Sequence, residues 1–189
     1  ETFTVTFNGN GGTTTATPVS QSSVGDTVSI AESTTATRTG FTFLGWNTLA
    51  NGTGTNITAG PGYLPPSNIT LFARWSANTY AVTFDKNTPS GVAATGTMAN
   101  MSIVAGTAKA LTTNGFARIG YVFRNWNSLA DGTGTTYADL ANVTFFANTT
   151  VYAQWNPILT YNINGGDGGT VPAAVNVASG SRVAAASST

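Results

Sequence analysis

The chain has no cysteine and no histidine, and only 7% of its 189 residues are charged. Without cysteine there are no disulfides and no thiolate sites, and without histidine there is no imidazole acid–base catalysis or imidazole metal ligation. The charged fraction lies far below the roughly 25% usual for soluble domains. Seven basic and seven acidic residues cancel, and no basic cluster forms, which argues against a nucleic-acid partner or an anionic membrane surface. No apolar run approaches the roughly 18 residues needed to span a bilayer, so membrane insertion is not expected. No cofactor is expected either. What the chain has in quantity is Thr, Ser and Asn, with 22 glycines and 41% hydrophobic residues, enough for one or two small cores. It starts at Glu1 without a signal peptide, which reads as a fragment of something longer.

The chain repeats itself. Phe41-Thr-Phe-Leu-Gly-Trp46-Asn-Thr-Leu-Ala-Asn-Gly-Thr-Gly-Thr55 returns 80 positions later as Tyr121-Val-Phe-Arg-Asn-Trp126-Asn-Ser-Leu-Ala-Asp-Gly-Thr-Gly-Thr135. Thr70-Leu-Phe-Ala-Arg-Trp75 becomes Thr150-Val-Tyr-Ala-Gln-Trp155 at the same displacement. Phe3-Thr-Val-Thr-Phe7 recurs as Tyr80-Ala-Val-Thr-Phe84, and again as Leu159-Thr-Tyr-Asn-Ile163. Phe7 to Trp46 is 39 positions and Phe84 to Trp126 is 42, so the second copy carries three extra residues, placed most simply near Pro89-Ser90-Gly91. A period of this size indicates repeated structural units. Two complete modules are expected over 1–77 and 78–156, with the truncated start of a third over 157–189.

Each module reads as mostly β, α+β at most. Phe3, Val5 and Phe7 alternate with Thr2, Thr4 and Thr6, the period of a strand with one buried face. Tyr80, Val82 and Phe84 repeat that alternation, and Ile69, Leu71, Ala73 and Trp75 share one face of a later strand. Thr27–Ile30 is a weaker strand, and a turn of helix is expected around Tyr137–Leu140. Asn51-Gly52 and Asp131-Gly132 suit tight turns that need positive φ. Gly45 is replaced by Asn125, the side chain that best tolerates left-handed backbone, so a bulge or a left-handed residue is expected before each tryptophan.

The ordered motifs Val5-Thr-Phe-Asn-Gly-Asn-Gly-Gly12, Gly40-Phe-Thr-Phe-Leu-Gly-Trp46, Asn51-Gly-Thr-Gly-Thr55 and Ile69-Thr-Leu-Phe-Ala-Arg-Trp75 resemble the Listeria–Bacteroides repeat, the B-repeat of internalin-type proteins. The resemblance covers both full copies and the opening of the third. It implies small β-grasp-like modules strung in an elongated array on exported bacterial surface proteins, and it brings no catalytic residues with it. Asp85-Lys-Asn-Thr-Pro-Ser-Gly91, in place of the Gly-rich turn, is a local departure.

Phe7, Phe43, Trp46, Trp75, Phe84, Phe123, Trp126 and Trp155 are expected in the cores, because modules under 80 residues need large side chains to fill them. Strand parity turns Phe72 and Tyr152 away from that face, which makes them the candidate surface contacts. A glycosidase needs two facing carboxyls, yet the acids are not repeated: Asp131 stands for Asn51 and Asp139 for Ala59. No catalytic residue is therefore assigned. Calcium at Asp131 and Asp139, or around Asp167, lacks the spacing of a calcium loop, and no metal site is assigned. A Lys–Asn isopeptide crosslink would have to use Lys86 or Lys109, neither of which recurs in the first module. The reading is a non-catalytic adhesin stalk or spacer on the bacterial cell surface. It is expected to be monomeric within a larger chain, with contacts through the cut third repeat, and to touch a host or neighbouring-cell glycan or protein through several weak copies. A carbohydrate-binding module of a secreted glycan-active protein is the alternative.

Overall fold

The computed structural model describes residues 1–88, 91–161 and 171–178. The chain divides into two compact units, Glu1–Thr79 with Val104–Gly106, and the remainder from Tyr80 onward.

In the first unit the strands are β1 (Thr4–Asn8), β2 (Thr13–Thr14), β3 (Val19–Ser20), β4 (Val28–Ile30), β5 (Ala36–Thr37), β6 (Phe41–Asn47), β7 (Asn56–Ile57), β8 (Gly60–Tyr63) and β9 (Ile69–Ala77). A single 3-10 turn, Ser33–Thr35, precedes β5. The main sheet runs β3-β1-β9-β6-β7. Its first and last long strands lie side by side and parallel, Val5 opposite Ile69. Strand β6 is antiparallel to β9 on the other side. Parallel neighbours need a long crossover, and here the crossover is the rest of the module. The short pair β4–β8 brings Val28 and Ile30 into the core against Trp46 and Leu71. β-Branched and aromatic residues at alternate positions give this mixed, mostly β architecture.

The second copy repeats it with β10 (Thr79–Asp85), β11 (Met101–Val104), β12 (Lys109–Ala110), β13 (Tyr121–Asn127), β14 (Thr136–Tyr137), β15 (Asn142–Val143), β16 (Thr149–Leu159) and β17 (Val175–Asn176). The order β11-β10-β16-β13-β14 matches the first sheet strand for strand. The β12–β15 pair stands where β4–β8 does, and an isolated bridge from Thr95 to Ala117 stands for β2–β5. Val82 lies opposite Thr149 in the parallel pair, 67 positions apart against 64 for Val5 and Ile69, so the three extra residues fall between these strands. Pro89 and Ser90 lie outside the described residues.

Both β6 and β13 shift register where a bulge was expected, between Phe43 and Gly45 and between Phe123 and Asn125. Gly45 has φ +120°, whereas Asn125 is not among the positive-φ residues. The bulge therefore forms without left-handed backbone in the second copy, and the left-handed alternative does not hold for Asn125. Gly52 and Gly132, at φ +76° and +79°, do turn through positive φ. The helical turn expected at Tyr137–Leu140 is absent: Tyr137 belongs to β14, and Leu140 turns the chain at φ +61°. Left-handed backbone at Leu140 interrupts any helix there.

The expected opening strand of a third repeat, Leu159–Ile163, lies partly outside the described residues, and Thr160 and Tyr161 are in no strand. Leu159 ends β16, whose Ile158 amide donates to Gly120 O as Asn78 does to Gly40 O in the first copy. Ile163 lies outside the described residues. The second strand expected near Val175 is β17, paired antiparallel to β16 through Ile158 and Leu159.

Candidate functional site

Each core is a small aromatic stack on the inner face of the long strands. Trp46 and Trp126 are fully buried. Phe7 and Phe43 stand 4.8 and 5.3 Å from the Trp46 ring, and Phe84 and Phe123 both stand 5.0 Å from Trp126. Tilted and edge-on contacts at such distances suit the ring quadrupoles. Phe84 is buried, while Phe7, Phe43, Phe123, Trp75 and Trp155 pack against the two cores partly exposed. Trp75 and Trp155 are anchored alike: each indole N–H donates to a backbone carbonyl in the loop after the unit's first long strand, Gly9 O for Trp75 and Lys86 O for Trp155. Phe72 and Tyr152 are half-buried on the central strand, opposite Asn47 and Asn127 in the sheet register.

Two repeated asparagines have no counterpart in the sequence reading. Asn47 is completely buried beside Trp46. Its Nδ2 donates to the carbonyls of Gly52 and Gly54 and to Asn56 Oδ1, and its Oδ1 accepts the Leu49 amide at 2.8 Å. Asn127 does the same with Gly132, Gly134, Thr136 Oγ1 and Leu129. One buried amide thus satisfies most of a turn's inward-facing backbone groups, which would otherwise cost about 1–3 kcal/mol each. A Cβ on Gly54 would fall on Thr48 Oγ1, and one on Gly134 on Ser128 Oγ, so this turn closes only on glycine. Asn10 and Asn87, both at positive φ, clamp the turn from outside: the Nδ2 of Asn10 donates to Ala50 O and Ala73 O, and that of Asn87 to Ala130 O and Ala153 O. The signal for both asparagines was their recurrence, Asn47 to Asn127 at 80 and Asn10 to Asn87 at 77.

The acids considered for catalysis or calcium serve local structure. Asp131 Oδ1 accepts the amide and the hydroxyl of Thr133, as Asn51 Oδ1 does from Thr53. The Thr133 amide first, then its hydroxyl, hold the Asp131 carboxyl below the ordinary carboxylate range. Asp139 receives Thr113 Oγ1, the Asn114 amide and the indole N–H of Trp126 at 3.4 Å, whereas Trp46 donates to Ala31 O. No group of three His, Cys, Asp or Glu side chains able to hold a metal occurs among the described residues. Asp167 lies outside them. Lys109 donates to Ser102 O, and Lys86 faces the Phe116 ring at 5.9 Å.

The first unit also holds an open cleft of about 390 Å³, lined by Asn10, Arg38, Asn51, Gly52, Arg74 and Trp75, with Leu44 and Ala50 at its edge. The Arg38 guanidinium carbon lies 3.8 Å from the centre of the Phe41 ring, a cation–π contact. No helix among the described residues is long and apolar enough to cross a membrane.

A family model described as the Listeria–Bacteroides repeat domain matches residues 3–74 and again 80–154. A protein of Evansella cellulosilytica named as a Gly-rich membrane protein is 32% identical over 152 residues, which cover 74% of this chain and 17% of that relative. No solved structure matches. Two family matches, spaced as the two sheets are and together covering most of the chain, place this protein in the Listeria–Bacteroides repeat family.

Proposed function

We propose that this chain is a non-catalytic repeat segment of a bacterial cell-surface protein, a stalk or spacer in an adhesin that also presents weak contacts in several copies. One observation carries the reading. The two copies keep the features that build the fold and exchange the residues that could do chemistry. Sheet order, aromatic stacks, buried asparagine and indole-to-loop hydrogen bonds recur. Asp131 and Asp139, in contrast, stand where the first copy has Asn51 and Ala59. A duplicated active site would be expected to keep its acids in register. Family membership and the name of the Evansella cellulosilytica relative support a place at the exported cell surface.

The partner would be a glycan or protein of a host or neighbouring cell. Because each copy offers a small surface, single-module affinity should be weak and rise steeply with copy number through effective concentration. Chains of one, two and four modules, tested on whole-cell surface arrays, check this directly. Equal affinity at every copy number counts against multivalency. Turnover of a glycan or peptide that is lost in Asp131→Asn or Asp139→Asn would establish an enzyme instead. The alternative of a carbohydrate-binding module draws support from the cleft beside Trp75, since an indole at a polar cleft can take the apolar face of a sugar.

A further inference from the structure

The cleft beside Trp75 concentrates positive charge in a chain that has little. Arg38 and Arg74 both border it, both are half-buried, and no Asp or Glu lines it. No ion pair or hydrogen bond engages either guanidinium among the described residues. Glu32 borders the adjacent hollow that Arg74 shares, without forming an ion pair with it. Arg38 rests over the Phe41 ring, a contact that restrains its side chain before any ligand arrives, so less freedom is lost on binding. Asn51 uses its Oδ1 on Thr53 and keeps its Nδ2 as a donor. Trp75 supplies an apolar wall whose indole N–H is already committed to Gly9 O.

We propose that this cleft binds a carboxylate-bearing sugar of an acidic polysaccharide, with Arg38 and Arg74 on the carboxylate, Asn51 on hydroxyls and Trp75 against the ring. Two guanidiniums match a carboxylate by paired charge-assisted hydrogen bonds. The aromatic wall selects a sugar over an acidic peptide, because it gives the apolar ring face a surface and the peptide nothing comparable. A dense polyanion such as nucleic acid would need a broad basic surface, and this chain has net charge zero. Among the described residues the second unit does not repeat this site. Gln154 replaces Arg74 and spends its Nε2 on the carbonyls of Leu129, Ala130 and Tyr152, while Asp131 brings a negative charge in place of Asn51. Arg124, in place of Leu44, is exposed and returns one charge, so positive charge at the counterpart positions falls from two to one net. The inference goes beyond the spacer reading, for a chain without this site could still act as a spacer.

The test titrates the full 189-residue chain with a short oligogalacturonate and follows the indole N–H signals by NMR, Trp75 being assigned with Trp75→Phe. Saturable movement of the Trp75 signal is expected, with the Trp155 signal unmoved. Arg74→Gln, which installs the residue of the second copy, and Arg38→Gln should each weaken binding about tenfold, the size of one charge-assisted contact at 1.4 kcal/mol per decade. Methyl-esterified oligogalacturonate should not bind. If Arg38→Gln disturbs the Phe41 contact, Arg74→Gln alone decides. Unchanged affinity in Arg74→Gln, equal binding of the ester, equal or tighter binding of a poly-glutamate peptide, or no movement of the Trp75 signal would each overturn the proposal.

Discussion

The two units hold the same sheet with differently filled interiors. In the first, the fully enclosed set is Val5, Val28, Ile30, Ala36, Trp46, Leu71 and Ala73. In the second it is larger, with Met101, Ile103, Leu111 and Phe116 around Trp126. Ala36 and Phe116 occupy the same place 80 positions apart, and Phe116 adds a ring 6.0 Å from Trp126 that the first copy lacks. Tyr137 and Phe145 add a further edge-on pair at 5.8 Å, where the first copy has Ile57 and Pro65. The frame common to both is therefore the parallel first–last strand pair, the Trp–Phe stack and the buried asparagine, and the remainder of the interior is free to vary. Because buried apolar area stabilises at roughly 25 cal/mol per Å², the fuller interior predicts that the second unit is the more stable of the two.

The largest expected effects come from removing the shared frame. Trp46→Ala and Trp126→Ala should each cost about 3–5 kcal/mol, comparable to the whole stability of a small module. Trp46→Ala should unfold the first unit outright, while Trp126→Ala should leave the better-filled second unit partly populated; thermal melts followed by residue-resolved NMR distinguish the units. Equal loss in both would mean that the additional side chains around Trp126 contribute nothing.

Next comes the one position that most separates the interiors. Phe116→Ala should cost about 3 kcal/mol by cavity formation and bring the second unit down toward the first. Denaturant midpoints measured separately for each unit check this, and an unchanged midpoint would show that Phe116 is not part of the second core in solution.

Asn47→Ala and Asn127→Ala strip the same turn in both copies and leave the Leu49 or Leu129 amide and the glycine carbonyls unmatched, at about 2 kcal/mol each variant. Similar losses at the two positions would sharpen the comparison, since the turn belongs to the part that does not vary.

The smallest effect separates the turns by charge. The Thr133 amide and hydroxyl lower the folded-state pKa of Asp131, so the stability this group contributes is present above its unfolded value of about 3.9 and is lost as pH falls through the lower folded value. Asn51 cannot titrate, and the matching turn of the first copy should show no such acid-side loss. Asp131 is solvent-exposed, so the loss should be slight. Amide exchange of Thr133 between neutral pH and pH near 3, with Asp131→Asn as the control, measures it; a loss that persists in Asp131→Asn would assign it elsewhere.

Much of this was legible in the sequence because repetition supplies its own alignment. The period-2 alternation in Phe3–Phe7 and Ile69–Trp75 marked strands, and the Gly45/Asn125 exchange marked the bulge. Periodicity cannot show which strands pair, and the parallel neighbourhood of β1 and β9 joins residues more than 60 positions apart. Asn47 and Asn127 are not singled out, because asparagine is common here; their recurrence 80 positions apart is the available signal, and burial is what sets them apart from the exposed Asn51 in the structure. The helical turn expected near Tyr137 failed for a related reason: short apolar stretches carry no period, and pairing with β13 makes Tyr137 part of a strand. Arg38 and Arg74 are 36 positions apart and meet at one cleft only through the fold.

Each copy closes its own core with a buried asparagine and an aromatic stack. Residue-resolved amide hydrogen exchange on the intact chain and on Asn47→Ala tests it most directly. Strong protection of the Leu49 and Leu129 amides is expected in the parent chain. In Asn47→Ala, protection should fall at Leu49 and across β6 and β9, while Leu129, β13 and β16 keep theirs. Fast exchange at Leu49 and Leu129 in the parent, or loss of protection in both units from the single substitution, would contradict it.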